Sequence, residues 1–334
     1  MRFGEIPVAD ALGAIAAHAV KIGGLVLRKG HVISAEDQAA LLAAGVASVI
    51  AARLEPGDVH ADAAAEALAE HLAGSGLRRE KPFTGRVNLF ARVNGLVRVD
   101  AAAIDAINEI DEAITVATLP AYKFVAEGDM AATVKIIPFA AGGAALAAAE
   151  AVPRGRGAIS IVPFRPLRVG VVSTLLPGLK SSVVAKTLNV LEGRLHACGA
   201  SIAGETRVPH ETAALAEAVQ AAARRADLVV VFGASAITDR RDVIPAAIEA
   251  AGGRIEHFGM PVDPGNLLLV GEVADRPIVG APGCARSPKE NGFDWVLQRL
   301  LADVPIGRKE IQAMGVGGLL MEISTRPQPR TGDE

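Results

Sequence analysis

The C-terminal half of the chain alternates short apolar runs with longer amphipathic ones. Arg168–Val172 and Leu228–Phe232 are almost entirely apolar and rich in valine, which is typical of strands buried on both faces of a parallel sheet. Thr212–Arg225 instead places Leu215 and Val219 on one face at the helical period. This alternation predicts an α/β domain with a mostly parallel sheet covered on both faces, and ligands bound beyond the C-terminal ends of the strands.

The remaining elements of this half follow from the same periodicities. Helices are predicted at Lys180–Cys198, Val243–Ala251 and Asn291–Leu301, and strands at Ala200–Arg207, Arg254–Phe258, Leu267–Val270 and Pro277–Gly280. The pattern changes near Pro163–Pro166, which predicts a domain boundary. We expect residues 1–163 to form an α+β domain divisible near residue 80, residues 167–305 the α/β domain, and residues 306–334 a C-terminal tail.

The N-terminal half mixes helical and strand patterns. Val8–Val20 is an alanine-rich helical pattern, and Leu25–Ile33 predicts a hairpin because a Lys-Gly pair separates two apolar runs. Ser34 followed by Asp37 predicts a capped helix start. Val87–Val99 alternates about an Asn-Gly pair, which is a strong hairpin signal. Further helices are predicted at Asp62–Leu72 and Ile104–Ile110, and strands at Val46–Ala51, Ile114–Ala117 and Thr133–Ile137.

Composition narrows the classes of protein. Of 334 residues, 51% are hydrophobic and 21% are charged, which excludes a disordered chain. The net charge is −3 and aromatics are only 3%, so the basic footprint and stacking rings of a nucleic-acid-binding protein are missing. Apolar stretches are broken before about 18 residues, so we predict no membrane span and a cytoplasmic protein. Cys198 and Cys284 are too few for a disulfide framework, and no Cys/His cluster has zinc spacing.

Small and polar residues gather in three loops that follow predicted strands. These loops are Ser173–Ser182, Gly233–Asp242 and Pro282–Asn291. Small residues let backbone N–H groups approach an anion, and each loop leads into a helix N-terminus, which favours negative charge. The loops also contain cations that can pair with phosphate, namely Arg240, Arg241, Arg286 and Lys289. The pattern indicates a phosphorylated small molecule, although the spacing fits neither a P-loop nor a dinucleotide-binding glycine motif.

Several stretches of the chain resemble one family. Asp227–Ser235, followed by Arg241–Pro245, is similar to the core motif of the molybdopterin-binding family of molybdenum-cofactor biosynthesis, which includes molybdopterin adenylyltransferases and molybdotransferases. The other matching stretches are Val171–Thr174, Met260–Asn266 and Pro282–Ala285, together with Gly30–Ala47, which resembles a molybdotransferase element. More closely, the chain resembles the molybdopterin-binding half of bacterial proteins in which this region precedes a nucleotidyltransferase domain. The chain is then either truncated after Glu334 or a protein that stands alone.

The resemblance, which covers about Arg168–Leu301, implies a fold, a ligand and a set of site residues. The fold is the three-layer molybdopterin-binding α/β fold, and the ligand is molybdopterin or the molybdenum cofactor, held through its pterin phosphate. Asp242 is implied as the catalytic residue, with Asp239 as a second candidate. The implied binding residues are Ser173, Thr174, Lys180, Ser181, Gly233, Ala234, Ser235, Ala236, Arg241, Pro282, Gly283, Cys284 and Ser287.

The chain departs from the family pattern where the family holds magnesium. Leu175–Pro177 stands where Gly-Asp-Glu is usual, Lys180 stands near an expected aspartate, and Ala234 replaces the second glycine. Without those carboxylates, adenylyl transfer that depends on Mg²⁺ and a nucleotide is disfavoured, and no metal ligands are assigned. Pterin and phosphate binding depends on backbone amides and cations, which the chain keeps.

Some of these residues also have an ordinary structural role open to them. Asp242 can serve only as a helix cap. Asp239 and Arg241 can be solvated loop charges, Lys180 a surface lysine, and Cys284 an inert buried thiol. The sequence leaves these alternatives open.

We therefore expect a molybdopterin-binding protein that acts in molybdenum-cofactor biosynthesis or maturation. Whether it catalyses a reaction stays open; an enzyme of this kind would be a molybdopterin molybdotransferase or an adenylyltransferase-like transferase. The alternatives are a non-catalytic scaffold or sensor that recruits a partner nucleotidyltransferase, and a doubly wound sugar-nucleotide enzyme. Expected partners are a molybdenum-cofactor nucleotidyltransferase, recipient molybdoenzymes and a second copy of the chain in a homo-oligomer, with a dimer favoured. Neither nucleic acid nor a membrane is an expected partner.

Overall fold

The computed structural model describes residues 1–22, 24–178 and 181–323. The chain forms two compact units, one of residues 1–93 with 97–162, and one of residues 94–96 with those from Pro163 onward. Each unit has a buried apolar core of its own.

The elements up to residue 163 are short, and sheets outnumber helices. The helices are α1 Ala35–Ala43, α2 Ala61–Leu72, α3 Ala101–Asn108 and α4 Gly143–Glu150. The strands are β1 Arg2–Pro7, β2 Ile15–Ala16, β3 Val20–Ile22, β4 Leu25–Leu27, β5 Ser48–Arg53, β6 Asp58–His60, β7 Leu77–Arg79, β8 Arg86–Ala91, β9 Gly95–Val99, β10 Ile114–Thr118, β11 Phe124–Val125, β12 Met130–Ile136, β13 Ala140–Gly142 and β14 Ile159–Pro163. They form small sheets in the orders β1-β5-β2, β3-β4, β13-β6, β10-β12-β8-β7 and β11-β9-β14.

The helix predicted at Val8–Val20 is wrong. The segment begins with a short 3-10 turn at Val8–Asp10 and continues as β2 and β3. Alanine gains only a few tenths of a kcal/mol per residue from a helix, whereas Ile15 and Ala16, which pair with β5, lie in the buried stretch Ala14–Ala17. Gly13 also has a φ of +78°, which a continuous helix does not allow.

Both predicted hairpins of this half are wrong for a common reason. β4 pairs with β3 rather than with the residues after Gly30, and Val32 instead forms a bridge with Ile15. β8 lies between β12 and β7, whereas β9 lies between β11 and β14. Turn residues act locally, but pairing partners are decided by which strands bury side chains together. The capped start at Ser34 is confirmed, because Ser34 and Asp37 form a capping box.

The C-terminal unit is built on one six-stranded sheet. Its strands are β15 Arg168–Leu175, β16 Ser201–Pro209, β17 Leu228–Phe232, β18 Arg254–Phe258, β19 Leu269–Val273 and β20 Arg276–Ala281. Its helices are α5 Ser181–Ala197, α6 Thr212–Ala223, α7 Val243–Ala250, α8 Gly292–Leu301 and α9 Arg308–Gln312. The strand order is β16-β15-β17-β20-β19-β18.

The predicted α/β class and the parallel part of the sheet are confirmed. β16, β15, β17 and β20 pair in parallel, whereas β19 and β18 add an antiparallel edge. All of β17 is buried. Its Val229 and Val231 join the core that contains residues of α6 and α7, while Phe232 lies on the opposite face, near Phe293 of α8. An all-apolar strand is stable here because both of its faces are covered.

The order of the strands positions the candidate site. β15 has β16 on one side and β17 on the other, so the chain changes direction across the sheet at β15. Because β15, β17 and β20 are parallel neighbours, the segments that follow them emerge at one edge. Within the residues described, no helix is long and apolar enough to cross a membrane.

Candidate functional site

The three loops singled out from the sequence start side by side. Ser173 of β15 is the register partner of Phe232 of β17, and Phe232 is the partner of Ala281 of β20. The strands are about 5 Å apart in such a sheet. The described parts of the three loops therefore form one continuous rim at the C-terminal edge of the sheet.

Thr174 joins two of these loops from inside the protein. Its hydroxyl oxygen accepts a hydrogen bond from the Ala234 N–H at 2.8 Å and lies 2.8 Å from Nδ1 of His210, which follows β16. The side chain is only 2% exposed. Thr174 thus holds the start of the β17 loop in place. His210 is a site neighbour that the sequence alone did not single out.

Gly233 allows the β17 loop to turn back tightly. A Cβ at this position would lie 2.6 Å from the carbonyl oxygen of Ser235 and 2.8 Å from Cδ1 of Ile244, closer than real Cβ contacts. Its carbonyl oxygen accepts a hydrogen bond from Arg286 at 2.8 Å. The β17 loop is therefore joined to the β20 loop as well as to β15.

Arg286 is a half-buried cation with neutral partners. Its Nη1 donates to the Thr187 hydroxyl at 2.8 Å, and its guanidinium carbon lies 5.5 Å from the centre of the Phe232 ring. Burial lowers the pKa of Arg286. No carboxylate among the described residues pairs with it. Arg286 is one of the loop cations evident in the sequence, but it is not among the binding residues that the family resemblance implies.

Ser173 carries a buried hydroxyl that lacks a protein partner. The residue is 3% exposed, and its Oγ makes no hydrogen bond to the described residues. Side chains that are register partners in a parallel sheet point to the same face, so Ser173 shares a face with Phe232. Arg286 packs over Phe232 on that face. A buried hydroxyl and an unneutralised cation thus belong to one corner of the site.

Arg194 of α5 holds the β20 loop through hydrogen bonds to its main chain. Its guanidinium donates to Asp294 Oδ1 at 2.6 Å, to the Ala285 carbonyl at 2.8 Å and to the Ser287 carbonyl at 2.6 Å. The Arg194 and Asp294 side chains are 10% and 11% exposed. Asp294 also accepts from the N–H of Asn291, which caps α8. The loop that carries Arg286 is therefore tied to two helices.

The two acidic candidates have local partners. Asp242 caps α7, accepting from the N–H of Val243 at 2.8 Å and of Thr238 at 3.2 Å. Asp239 is paired with the side chain of Arg241 at 2.7 Å, and both residues are exposed. The hydrogen bond from Arg241 lowers the pKa of Asp239 and raises that of Arg241. This pair already neutralises the cation that the resemblance implied for binding.

Two segments of the chain match known family models. Residues 170–302 match the family model described as a probable molybdopterin binding domain. This segment is similar to the molybdopterin-binding family. Residues 5–53 match a separate domain of unknown function (DUF8806). No curated protein sequence matches the chain.

Solved structures with low similarity include proteins of molybdopterin biosynthesis. A molybdopterin biosynthesis MoeA protein from Pyrococcus horikosii is 15% identical over 90% of this chain and 75% of its own, with a TM-score of 0.31. A molybdenum cofactor biosynthesis protein from Pyrococcus furiosus is 13% identical over 91% of this chain and 64% of its own, with a TM-score of 0.27. The molybdopterin biosynthesis enzyme MoaB from Thermus thermophilus is 17% identical over 42% of this chain and 98% of its own, with a TM-score of 0.29.

The remaining residues that the resemblance implied differ in exposure. Pro282 is buried at the start of the β20 loop, whereas Cys284 and Ser287 are half-buried. Sγ of Cys284 lies 3.6 Å from Oδ1 of Asn291. Lys180 lies outside the described residues. The exposed members are Ser181, Ser235, Ala236 and Gly283.

The donor set at this edge of the sheet suits an anion better than a cation. Within the described ranges, no group of three or more His, Cys, Asp or Glu side chains is placed to hold a metal ion. The loops supply backbone N–H groups, hydroxyls and Arg286 instead. Such groups bind phosphate-like anions.

Proposed function

We propose that residues 170–302 bind molybdopterin or the molybdenum cofactor across the ends of β15, β17 and β20, in the three-layer fold of the family. The family match puts the segment among molybdopterin-binding domains. The observation that carries the proposal is the joining of all three strand ends by hydrogen bonds, from Ala234 to Thr174 and from Arg286 to Gly233. A ligand that spans several loops needs them held in one arrangement before it binds.

Within this arrangement, the main chain does most of the binding. The exposed stretch of the β17 loop at Ser235–Ala236 and the exposed Gly283 of the β20 loop offer backbone groups to a ligand on the rim. A Cβ added at Gly283 would have no atom within 4 Å of it, so a ligand can approach this part of the backbone closely. Asp242, fixed as a cap, would orient the group that is transferred or the metal that is inserted.

The role proposed is to bind and present the pterin during cofactor maturation, rather than to complete a magnesium-dependent adenylyl transfer. Leu175–Pro177 contributes no carboxylate to the rim. Of the two acidic candidates, Asp239 is already engaged by Arg241, which leaves only Asp242. Magnesium prefers carboxylate oxygens and phosphates as ligands. A partner nucleotidyltransferase and recipient molybdoenzymes would then act on the pterin that this domain holds.

The test is direct identification of the ligand. The full chain is purified without oxygen from a host grown with molybdate, and small molecules released by denaturation are identified by mass spectrometry. We expect molybdopterin or a nucleotide form of it, in an amount that falls in a Gly233→Ala variant. Recovery of a sugar nucleotide with no pterin, together with no binding of added molybdopterin, would overturn the proposal.

A further inference from the structure

We infer that Arg286 and Ser173 form an oxyanion subsite that takes the tetrahedral anionic group of the ligand. The identity of that ligand rests on the proposed function, but the subsite itself is argued from its own contacts. The class of group is a doubly charged tetrahedral oxyanion, such as a phosphomonoester on the pterin or free molybdate.

The charge of Arg286 is not balanced by its hydrogen-bond partners. Its two hydrogen bonds go to a threonine hydroxyl and a main-chain carbonyl, both neutral. The guanidinium carries further N–H donors in a planar fork that suits oxyanions. A desolvated cation without a counter-charge costs free energy, and proteins normally pair it. An oxyanion would supply the missing charge.

Ser173 carries an unsatisfied buried hydroxyl on the same face of the sheet as Phe232. Buried hydroxyls in native proteins nearly always have a hydrogen-bond partner, yet Ser173 Oγ has none among the described residues. Ser173 lies at the end of β15, directly across from Phe232, whose ring supports Arg286. A hydroxyl without a hydrogen-bond partner and a cation without a counter-charge thus occupy the same face at the ends of adjacent strands. One bound anion would satisfy both.

The guanidinium of Arg286 is held in a fixed position. Thr187 and the Phe232 ring fix the guanidinium, and Arg194 fixes the loop that carries it. A binding group that is already oriented loses little entropy when its ligand arrives. Arg241, by contrast, is exposed and already paired with Asp239. Arg286 therefore replaces Arg241 as the cation expected to contact the anion.

The experiment measures anion binding by the full chain with simple probes. Inorganic phosphate and molybdate are titrated separately, by calorimetry and by thermal unfolding, into the wild type and into Arg286→Gln, Arg286→Lys and Ser173→Ala. Arg241→Gln is the matched control, because it removes one positive charge from the same rim. The affinity compared is that for phosphate or molybdate, whichever the wild type binds more tightly. We expect Arg286→Gln to weaken this binding at least about tenfold, and Arg286→Lys and Ser173→Ala to weaken it less. Arg241→Gln should leave it unchanged.

Stability without ligand separates a binding role from a structural one. Arg286→Gln gives up the hydrogen bonds to Thr187 and Gly233 but also removes an uncompensated charge, so we expect these effects to offset each other and the melting temperature to stay close to that of the wild type. If Arg286→Gln lowers the melting temperature while phosphate and molybdate affinities stay the same, Arg286 is structural and the inference is wrong. Equal loss of affinity in Arg241→Gln and Arg286→Gln would also overturn it, since general surface charge would then explain binding.

A final arm distinguishes this inference from the proposed function. Molybdopterin and the same pterin after phosphatase treatment are bound to the wild type and to Arg286→Gln. Loss of the preference for the phosphorylated form in Arg286→Gln supports a phosphate subsite, and loss of molybdate binding alone supports a molybdate subsite. Pterin binding that is the same in both proteins and for both forms, without anion effects, refutes the subsite but leaves the proposed function standing. Anion binding that needs Arg286, without any pterin binding, supports the subsite but refutes the proposed function.

Discussion

The buried ion pair between Arg194 and Asp294 allows a quantitative test of how the β20 loop is held. Arg194→Met leaves the Asp294 carboxylate about nine-tenths buried without its cation. Breaking a buried pair by removing one partner costs about 3–5 kcal/mol. Asp294 keeps its hydrogen bond from the Asn291 N–H, so we expect a loss of about 3 kcal/mol in the free energy of unfolding of the C-terminal unit.

A single fluorophore makes this unit easy to follow. Trp295, the only tryptophan of the chain, lies on α8 next to Asp294. Its fluorescence during urea unfolding reports this unit, and a loss of about 3 kcal/mol corresponds to a lower midpoint by about 1–3 M urea. Asp294→Asn and the Arg194→Met/Asp294→Asn pair complete a double-mutant cycle. The double variant should recover part of the loss, because the uncompensated carboxylate is gone.

The control is the exposed pair of the same rim. Arg241→Gln breaks a contact between two exposed side chains, and we expect no measurable shift of the midpoint. The reasoning fails if Arg194→Met moves the midpoint no more than Arg241→Gln does. It also fails if the effects of Arg194→Met and Asp294→Asn simply add, because independent sites would then replace a coupled pair.

Three further results are expected. Gly233→Ala should lower the melting temperature and abolish ligand retention, because its Cβ would lie 2.6 Å from a carbonyl oxygen. Gly283→Ala has open space around its Cβ and should leave the melting temperature unchanged. Equal melting temperatures of the two variants would contradict the tight turn at Gly233. Burial lowers the pKa of His71, so on acidification the unfolded chain takes up a proton that the folded chain does not. The free energy of unfolding should therefore fall as the pH drops below about 6.5. Calorimetric scans of His71→Gln should show a melting temperature that depends less on pH than that of the wild type. Burial raises the pKa of Cys198 to about 12, so iodoacetamide at pH 8 should modify Cys198 only after unfolding. The folded wild type and the folded Cys198→Ser control should then take up equal amounts of label. A faster or larger uptake by the wild type would contradict this prediction.

The elements of the C-terminal unit could be predicted from the sequence because their signals are local. Leu228–Phe232 is too apolar for anything but a strand covered on both faces, and the helical period of Thr212–Arg225 spans nearly four turns. The capping box at Ser34 needs only two residues three positions apart. The alternation of strands and helices also predicted that three loops would follow strands of one sheet. In the structure, β15, β17 and β20 are parallel neighbours, so these loops start side by side.

The wrong predictions lie where local and distant preferences compete. The alanine-rich segment at Val8–Val20 is a good helix in isolation, but β5, more than thirty residues away, offers a partner that buries it as strands. The Asn-Gly turn near residue 94 is a good hairpin signal, but its flanking strands pair in different sheets. Such outcomes depend on the free energy of contacts that do not exist until the chain has folded.

The sequence by itself determined the class of the fold, the family of the sheet and the small, polar character of its three loops, since these are properties of short segments. Only the tertiary structure decided which arginine is available to an anion. Arg194 lies one hundred residues from the carboxylate that neutralises it, Arg241 lies two residues from its own, and Arg286 meets only neutral groups. Side chains of identical chemistry acquire different roles because charge compensation is set by neighbours in space, at distances along the chain that no local pattern records.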